Sequence, residues 1–282
     1  LLKTPGVPTE QPPRRTLSRR QFITAGIIGG AGLAVGGYAV LGNEADRLEI
    51  VAQPVQVPGW KAGKVRVGIL SDHHVNDQES QLRAIEATKM LLSQKPDVVL
   101  LLGDYITYGS SVPYLAKTFE PLADSKIPTY AVLGNHDYGS GHNTAISETI
   151  HQAGFKLLVN AVAHVDGISL VGLDDDLRGN PNQGAISPKD LSSSSICLWH
   201  EPDAIEALQL PCALQVSGHS HGGQVCLPGV ILHTPRGAKR YRSGLYDVGD
   251  RRLYVTRGVG TTGLDYRLYC RPEVTLLEVR PA

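Results

Sequence analysis

Two histidines one residue apart lie between glycines in Gly218-His219-Ser220-His221-Gly222-Gly223. Paired imidazoles in so tight a turn have little structural purpose other than chelating a transition metal. Four further blocks carry metal-ligand types: Asp72-His73-His74, Gly103-Asp104, Gly134-Asn135-His136-Asp137, and His200 in the stretch His200-Glu201-Pro202-Asp203. Taken alone, Asp-x-His and Gly-Asp read as ordinary turn residues. Asn135 alone reads as a helix cap, and His200 as a core or surface histidine. Together they supply aspartate, asparagine and imidazole donors, which suit Mn, Fe, Zn or Co. No thiolate is among them. These donors are more than a single ion can take, so two divalent ions are expected.

A run of apolar segments must position these blocks. Lys64–Leu70, Asp97–Leu102, Pro128–Leu133, Ser195–Trp199 and Ala213–Ser217 each read as a β-strand, several buried on both faces. Helical patterns lie between the early ones. Leu82, Ile85, Met90 and Leu92 form one imperfect face, and Val112, Leu115, Phe119 and Leu122 a cleaner one. Strand–helix alternation predicts an α/β fold with a largely parallel sheet. Every chemical block directly follows a strand, and open α/β sheets bind ligands beyond the carboxyl ends of their strands. The blocks therefore converge on one shared site.

The order D-x-H, G-D, G-N-H-D, H, G-H-x-H resembles the calcineurin-like metallophosphoesterase family, and all its blocks stand here without substitution from Val65 to about Val279. The stretches Gly134–Tyr138, Trp199–Asp203, Ser217–Gln224, Gly244–Tyr246, Arg257–Gly260 and Pro272–Val274 resemble an exported bacterial, phosphodiesterase-like subgroup. The resemblance implies a four-layer α/β/β/α sandwich with two metal ions. Asp72, His74 and His221 would hold the first ion, Asn135, His200 and His219 the second, and Asp104 would bridge them. It implies hydrolysis of phosphoesters, in the first place of diesters, by a metal-bridging hydroxide that attacks in line. Asn135 and His136 would stabilise the growing charge, His136 would protonate the leaving oxygen, and Asp137 would fix the His136 tautomer. A purple acid phosphatase would carry Tyr where Thr107 stands, so that branch is excluded.

Other chemistry-bearing residues get plainer readings. His73 is not a ligand but is placed to touch substrate. His142, His151, His164 and His233 read as surface residues. Asp174-Asp175-Asp176 reads as a solvated acidic turn and Lys239, Arg240 and Arg242 as a solvated basic face. Cys197, Cys212, Cys226 and Cys270 form no Cys-x-x-Cys pair, which argues against a structural zinc. Their spacing leaves three disulfide pairings open.

Length and composition fit this picture. The chain has 282 residues, 41% of them hydrophobic, which excludes disorder as a description of the whole. Its formal net charge of zero shows no nucleic-acid-binding signature. The charge is uneven, with Lys3, Arg14, Arg15, Arg19 and Arg20 set against Glu10 in the first 24 residues. Ser18-Arg19-Arg20-Gln21-Phe22 followed by the uncharged, glycine-rich run Ile23–Gly42 resembles a twin-arginine (Tat) export signal. Residues 1–45 are therefore expected to be a signal or retained N-terminal anchor, and residues 46–282 the catalytic domain. The expected partners are a phosphoester substrate and the Tat export machinery, with membrane association through residues 23–42 as an anchor. The expected location is periplasmic or extracytoplasmic. The competing functions on the same site are a phosphomonoesterase or a nucleotide or lipid pyrophosphatase. A non-catalytic metal-binding scaffold is disfavoured because every ligand block and His136 are intact.

Overall fold

The computed structural model describes residues 42–282; the arginine pair and most of the expected signal lie outside them. The compact body runs Asn43–Ala282. Glu44 and Ala45, read from sequence as part of the leader, are buried in it. The Asn43 side-chain oxygen accepts from the Ala45 and Arg267 amides, and Arg271 bonds Glu44 at 3.1 Å. No helix among the described residues is long and apolar enough to cross a membrane.

Two six-stranded sheets face each other. The first sheet contains β1 (Glu49–Val57), β2 (Val65–Leu70), β3 (Val98–Leu101), β4 (Thr129–Ala131), β5 (Lys156–Leu157) and β14 (Glu273–Pro281), in the order β1-β14-β2-β3-β4-β5. The second contains β6 (Ala161–Val165), β7 (Ile168–Gly172), β8 (Ser195–Leu198), β9 (Leu214–Ser217), β12 (Gly244–Val248) and β13 (Arg251–Val255), in the order β12-β13-β9-β8-β7-β6. A separate small hairpin joins β10 (Cys226–Leu227) to β11 (Val230–Ile231). β2, β3 and β4 run parallel, as do β7, β8, β9 and β13. All five strands expected from sequence are present, each trimmed by one to three residues. The C-terminal β14 enters the first sheet beside β2, antiparallel to it. Its Glu273 accepts from Tyr254 of β13 and from Arg257, both at 2.7 Å, tying the two sheets together.

The seam between the sheets is apolar. Ile69, Leu100 and Val132 on one side meet Leu170, Leu198 and Val216 on the other. Truncating any of the Leu or Ile side chains to Ala would cost about 2–5 kcal/mol. On the outer face of the first sheet lie α1 (Gln78–Ser93), α2 (Leu115–Ser125) and α3 (Asn143–Gln152). The Asp77 side chain caps α1 by accepting from Ser80 N at 2.9 Å. The helix does not bury the face expected from its large residues: Leu82 is 54% exposed, while Ala84, Ala87 and Leu91 are inside. The reason is proximity. Leu91 sits directly over Gly68 of β2, where a Cβ would approach it to 3.0 Å, so small residues let the helix lie close. In α2 the expected Leu115, Phe119 and Leu122 are buried, and Val112 falls in the preceding 3₁₀ turn. The fourth layer is thin. Trp199, Leu173 and Cys197 on the outer face of the second sheet are covered by Ile186, Leu208 and Leu210. Those residues lie in or beside short 3₁₀ turns and irregular backbone, which the Pro- and Asp-rich stretch 174–211 favours over a long helix.

Candidate metal centre

Five loops leave the carboxyl ends of β2, β3, β4, β8 and β9 and meet above the seam between the sheets. Two backbone features bring them within reach. His219 N donates to both oxygens of Asp72, each at 3.0 Å, joining the second sheet's loop to the first's. His200, fully buried, is 2.6 Å through Nδ1 from the Leu102 carbonyl across the same seam. Asp72, His74, Asp104, His219 and His221 all have positive φ, between 44° and 65°. Side-chain-bearing residues pay for that conformation with about 1–3 kcal/mol each, and such outliers gather where side chains must converge. Gly103, at φ 91°, gives the turn before Asp104 its room: a Cβ there would stand 2.4 Å from Gly134 N.

Three groups of ligating atoms result: Asp72, His74 and His221; His74, Asp104 and His136; and Asp104, His200 and His219. The nitrogens and oxygens point at one another. His74 Nε2 is 3.1 Å from His221 Nε2 and 3.6 Å from Asp104 Oδ2. His200 Nε2 is 3.2 Å from the same Asp104 Oδ2, and His221 Nε2 is 3.5 Å from Asp72 Oδ1. Asn135 Oδ1 and His200 Nε2 are buried without a hydrogen-bond partner. Converging lone pairs and orphaned buried acceptors are unfavourable as they stand, and divalent cations satisfy them. The residues thus fit metal, and Asp104 lies between an Asp72–His74–His221 side and an Asn135–His200–His219 side.

The electrostatics favour the same species at three of the four imidazoles; at His200 burial is outweighed by the Asp104 charge, which holds the ring well above the ordinary range. Burial, ahead of neighbouring charges, holds His74 and His221 well below the ordinary imidazole range, in the neutral form a metal needs. Burial also lowers His219, with His200 adding to it. Burial opposes ionisation of Asp104, but His200 and His74 outweigh it and hold the carboxyl low. Hydrogen bonds at the far ring nitrogens settle which nitrogen faces the centre. A carbonyl only accepts, so His200 donates through Nδ1 to Leu102 O, and His219 through Nε2 to Arg236 O at 2.7 Å. That leaves His200 Nε2 and His219 Nδ1 free to ligate. His74 Nδ1 lies 2.8 Å from the Thr107 hydroxyl.

Several residues differ from their expected place. Asp137 does not orient His136. Its carboxylate accepts from Asp104 N, Tyr105 N and Gly134 N, each at 2.9 Å, and so staples the β3 and β4 loops together. Burial and the Asp104 charge push it up to about 8 against those donors. His136 sits edge-on to His74, ring centres 4.8 Å apart, and its amide donates to Asp104 Oδ1 at 2.7 Å. His73 faces inward, stacked on Tyr105 at 5.7 Å, and burial lowers it to about 4. It cannot touch substrate. Asp174 and Asp175 are buried rather than solvated, because the backbone amides of Asp175, Leu177, Arg178 and Asn180 and the Tyr138 hydroxyl bond their side chains. Among the basic residues, Arg240 pairs with Glu206 at 3.1 Å. The four cysteines are free and buried. Cys197 interacts with Cys212, and Cys226 with Cys270.

No motif or periodicity in the sequence singles out Arg267. It is fully buried, and its guanidinium donates to the carbonyls of Arg257, Gly258, Gly260, His221 and Cys270 at 2.6–3.3 Å. Nη2 also lies 3.3 Å from His221 Nδ1. The same 257–260 turn grips the Asp72 loop, through Val259 N to Ser71 O at 2.9 Å and Gly260 N to Asp72 O at 2.7 Å. Gly258 is packed so close to Asp72 that a Cβ would stand 2.6 Å from its Cβ. Arg267 therefore clamps both ends of the Asp72–His74–His221 side. The recurrent Arg257–Gly260 motif was the visible signal; the arginine that binds it was not.

A two-sheet α/β fold with paired imidazole–carboxylate clusters at its strand ends defines a metal-dependent hydrolase. The family model for calcineurin-like phosphoesterases matches residues 65–223, more than half of the chain. The chain is 33% identical over 291 residues to the Bacillus subtilis metallophosphoesterase YkuE, covering 94% of this chain and 99% of that one. It is 35% identical over 246 residues to the Escherichia coli phosphodiesterase YaeI, covering 79% and 89%. Among solved structures, TT1561 of Thermus thermophilus aligns with a TM-score of 0.47 at 14% identity, covering 70% of this chain and 90% of that one. The chain belongs to the calcineurin-like phosphoesterase family and is a metal-dependent phosphoester hydrolase.

Proposed function

We propose that the protein hydrolyses phosphodiesters outside the cytoplasm, using two divalent ions. The observation that carries the dinuclear reading is Asp104, whose carboxylate stands between two separate groups of buried imidazoles. Similarity to a phosphodiesterase supports the diester. When bound, the ions would supply Lewis acidity and lower the pKa of a shared water from about 15.7 to roughly 7. The chain's own residues do the rest. Asn135 and His136 border the space next to Asp104, where the phosphoryl oxygens gain charge as the bond to the incoming oxygen forms. The attacking water's oxygen becomes bonded to phosphorus, and one ester P–O bond breaks. His136 gives its proton to the departing oxygen, which leaves as an alcohol. Asp137 keeps the Asp104 and Gly134 turns in register. Arg267 does the same for Asp72 and His221.

The test is a metal-reconstituted assay comparing bis(p-nitrophenyl) phosphate with p-nitrophenyl phosphate. Diester turnover that exceeds monoester turnover and vanishes on chelation supports the reading; a preference for the monoester overturns it. Export by the twin-arginine route rests on Arg19-Arg20, Phe22 and the glycine-rich run after them. Ligands drawn from five loops exist as a site only after folding, which suits a route that carries folded, metal-bearing protein. Replacing both arginines with lysine should strand active enzyme in the cytoplasm. Normal export of that variant overturns the assignment.

A further inference from the structure

We propose that one ester arm of the substrate is an apolar chain, seated in a trench that runs from the metal centre onto the β10–β11 hairpin. This rests on the phosphodiesterase reading and names its substrate class. A cavity of about 270 Å³ opens beside Asp104, Asn135, His136, His219 and His221. A substrate arm that fills it would be joined to a phosphoryl group held beside those residues. Its far wall is made by Val225, Leu232 and Pro235. Among the described residues lining it, none is Lys or Arg and none is Phe, Tyr or Trp. A nucleotide or polyanion arm needs cations or a flat ring to stack on. The flat rings of the lining are imidazoles, those of His136, His219 and His221 at the centre and that of His233, while the apolar surface of Val225, Leu232 and Pro235 suits an apolar arm.

The hairpin extends that wall into solvent. Ile231 and Cys226, paired across the strands, turn inward: a Cβ on Gly223 would meet Ile231 Cγ2 at 2.4 Å and Cys226 Sγ at 3.3 Å. Side chains alternate along a strand, so Val230 takes the opposite face, with Leu227 across from it, and Leu232 directly follows β11. Leu227, Val230 and Leu232 are 40%, 52% and 57% exposed. The hairpin thus has an anchored face and an apolar face turned to water, and its Leu232 is also part of the cavity wall. The opposite wall is held rigid. The Gln224 side chain, also lining the cavity, donates to Thr262 O and Leu264 O at 3.0 and 3.1 Å and accepts from Thr262 N at 2.9 Å. A trench leading from a phosphoryl site onto exposed leucine and valine fits an amphiphilic phosphoester, with its head at the metals and its chain along the hairpin.

The experiment uses p-nitrophenyl alkyl phosphates from methyl to octyl, below their micelle concentrations, with the metal-loaded protein. In parallel, calorimetry measures binding of methyl and octyl phosphate. A fully buried methylene is worth up to about fourfold in affinity. The trench predicts that kcat/KM and affinity both rise at least ~10-fold from methyl to octyl. The surface variants Leu227→Ser and Val230→Ser, both outside the cavity lining, should flatten that rise, leaving turnover of the methyl ester unchanged. A wild-type protein indifferent to chain length overturns the trench while leaving the phosphodiesterase reading intact. So does a chain-length rise that survives in both variants. Chain-dependent binding without turnover overturns the phosphodiesterase reading alone. If the variants convert a dimer to a monomer in sedimentation, the hairpin face belongs to a second copy and the inference falls.

Discussion

The floor of the site and its mouth are built on opposite principles. On the floor, Asp72, His74, Asp104, His200, His219 and His221 are all buried, and five of the six have positive φ. Their far atoms are held by backbone groups, by Thr107 and by Arg267. At the mouth, Leu227, Val230 and Leu232 are exposed, and nothing polar holds their side chains. The contrast teaches that reaction and selection are separable in this molecule. Substitutions on the floor should change metal content and chemistry for every substrate, whereas those at the mouth should change which substrate is used.

The largest effect is expected from Asp104→Asn. The change leaves the fold's size and shape but removes the charge shared by both imidazole groups. Hydrolysis of all esters should disappear, with reduced metal content by elemental analysis. Near-normal turnover would break the division, because the floor would then not be the site. Next comes His136→Ala, which should keep its metal and lose about 10²–10⁴-fold in kcat on substrates with poor leaving groups. The loss should shrink for nitrophenyl esters, which need no proton. A fall in bound metal would instead make His136 a ligand, as its place 4.8 Å from the His74 ring permits. Arg267→Lys keeps the charge but cannot reach five carbonyls with a planar fork. Loss of such support around ligands typically costs about 10–100-fold in metal affinity. Titration should show this loss for one ion rather than both, since Arg267 touches only the Asp72–His221 side. Equal weakening of both sites would show a general loss of structure. The smallest effect is expected on the methyl ester in Val230→Ser, within about twofold of the parent in kcat/KM. A large loss there would sharpen the comparison the other way, by drawing Val230 into the floor.

The floor was more legible in sequence than the mouth. Gly218–Gly223 and Gly134–Asp137 disclose donors by residue type alone, and the strands before them are continuous apolar runs that read plainly. The structure brings the expected Asp72, His74, Asp104, His200, His219 and His221 into shared groups, with Asn135 beside them. What sequence hid was direction. His73 and His74 are neighbours of one type, yet one turns into the core and the other to the centre, because His74 sits at φ 44°. Asp137 looks like a partner for the adjacent His136 and instead gathers amides from two loops. Arg267 lies 46 residues from His221 in the chain, in a stretch without regular structure, so no periodicity announces it. The α1 face misled for a related reason: sequence counts large apolar residues, while packing on Gly68 selects small ones. The hairpin was invisible because Cys226–Ile231 is short, and only the fold shows which of its apolar residues face water.

The most direct test of the central claim is a titration of the metal-free protein with Mn²⁺, followed by calorimetry and diester hydrolysis in the same samples. Two equivalents should bind, with hydrolysis appearing as the second is filled, and Asp104→Asn should lose both the second binding event and the activity. Full hydrolysis with one equivalent bound, or two tight equivalents retained by Asp104→Asn, would contradict an Asp104-bridged centre.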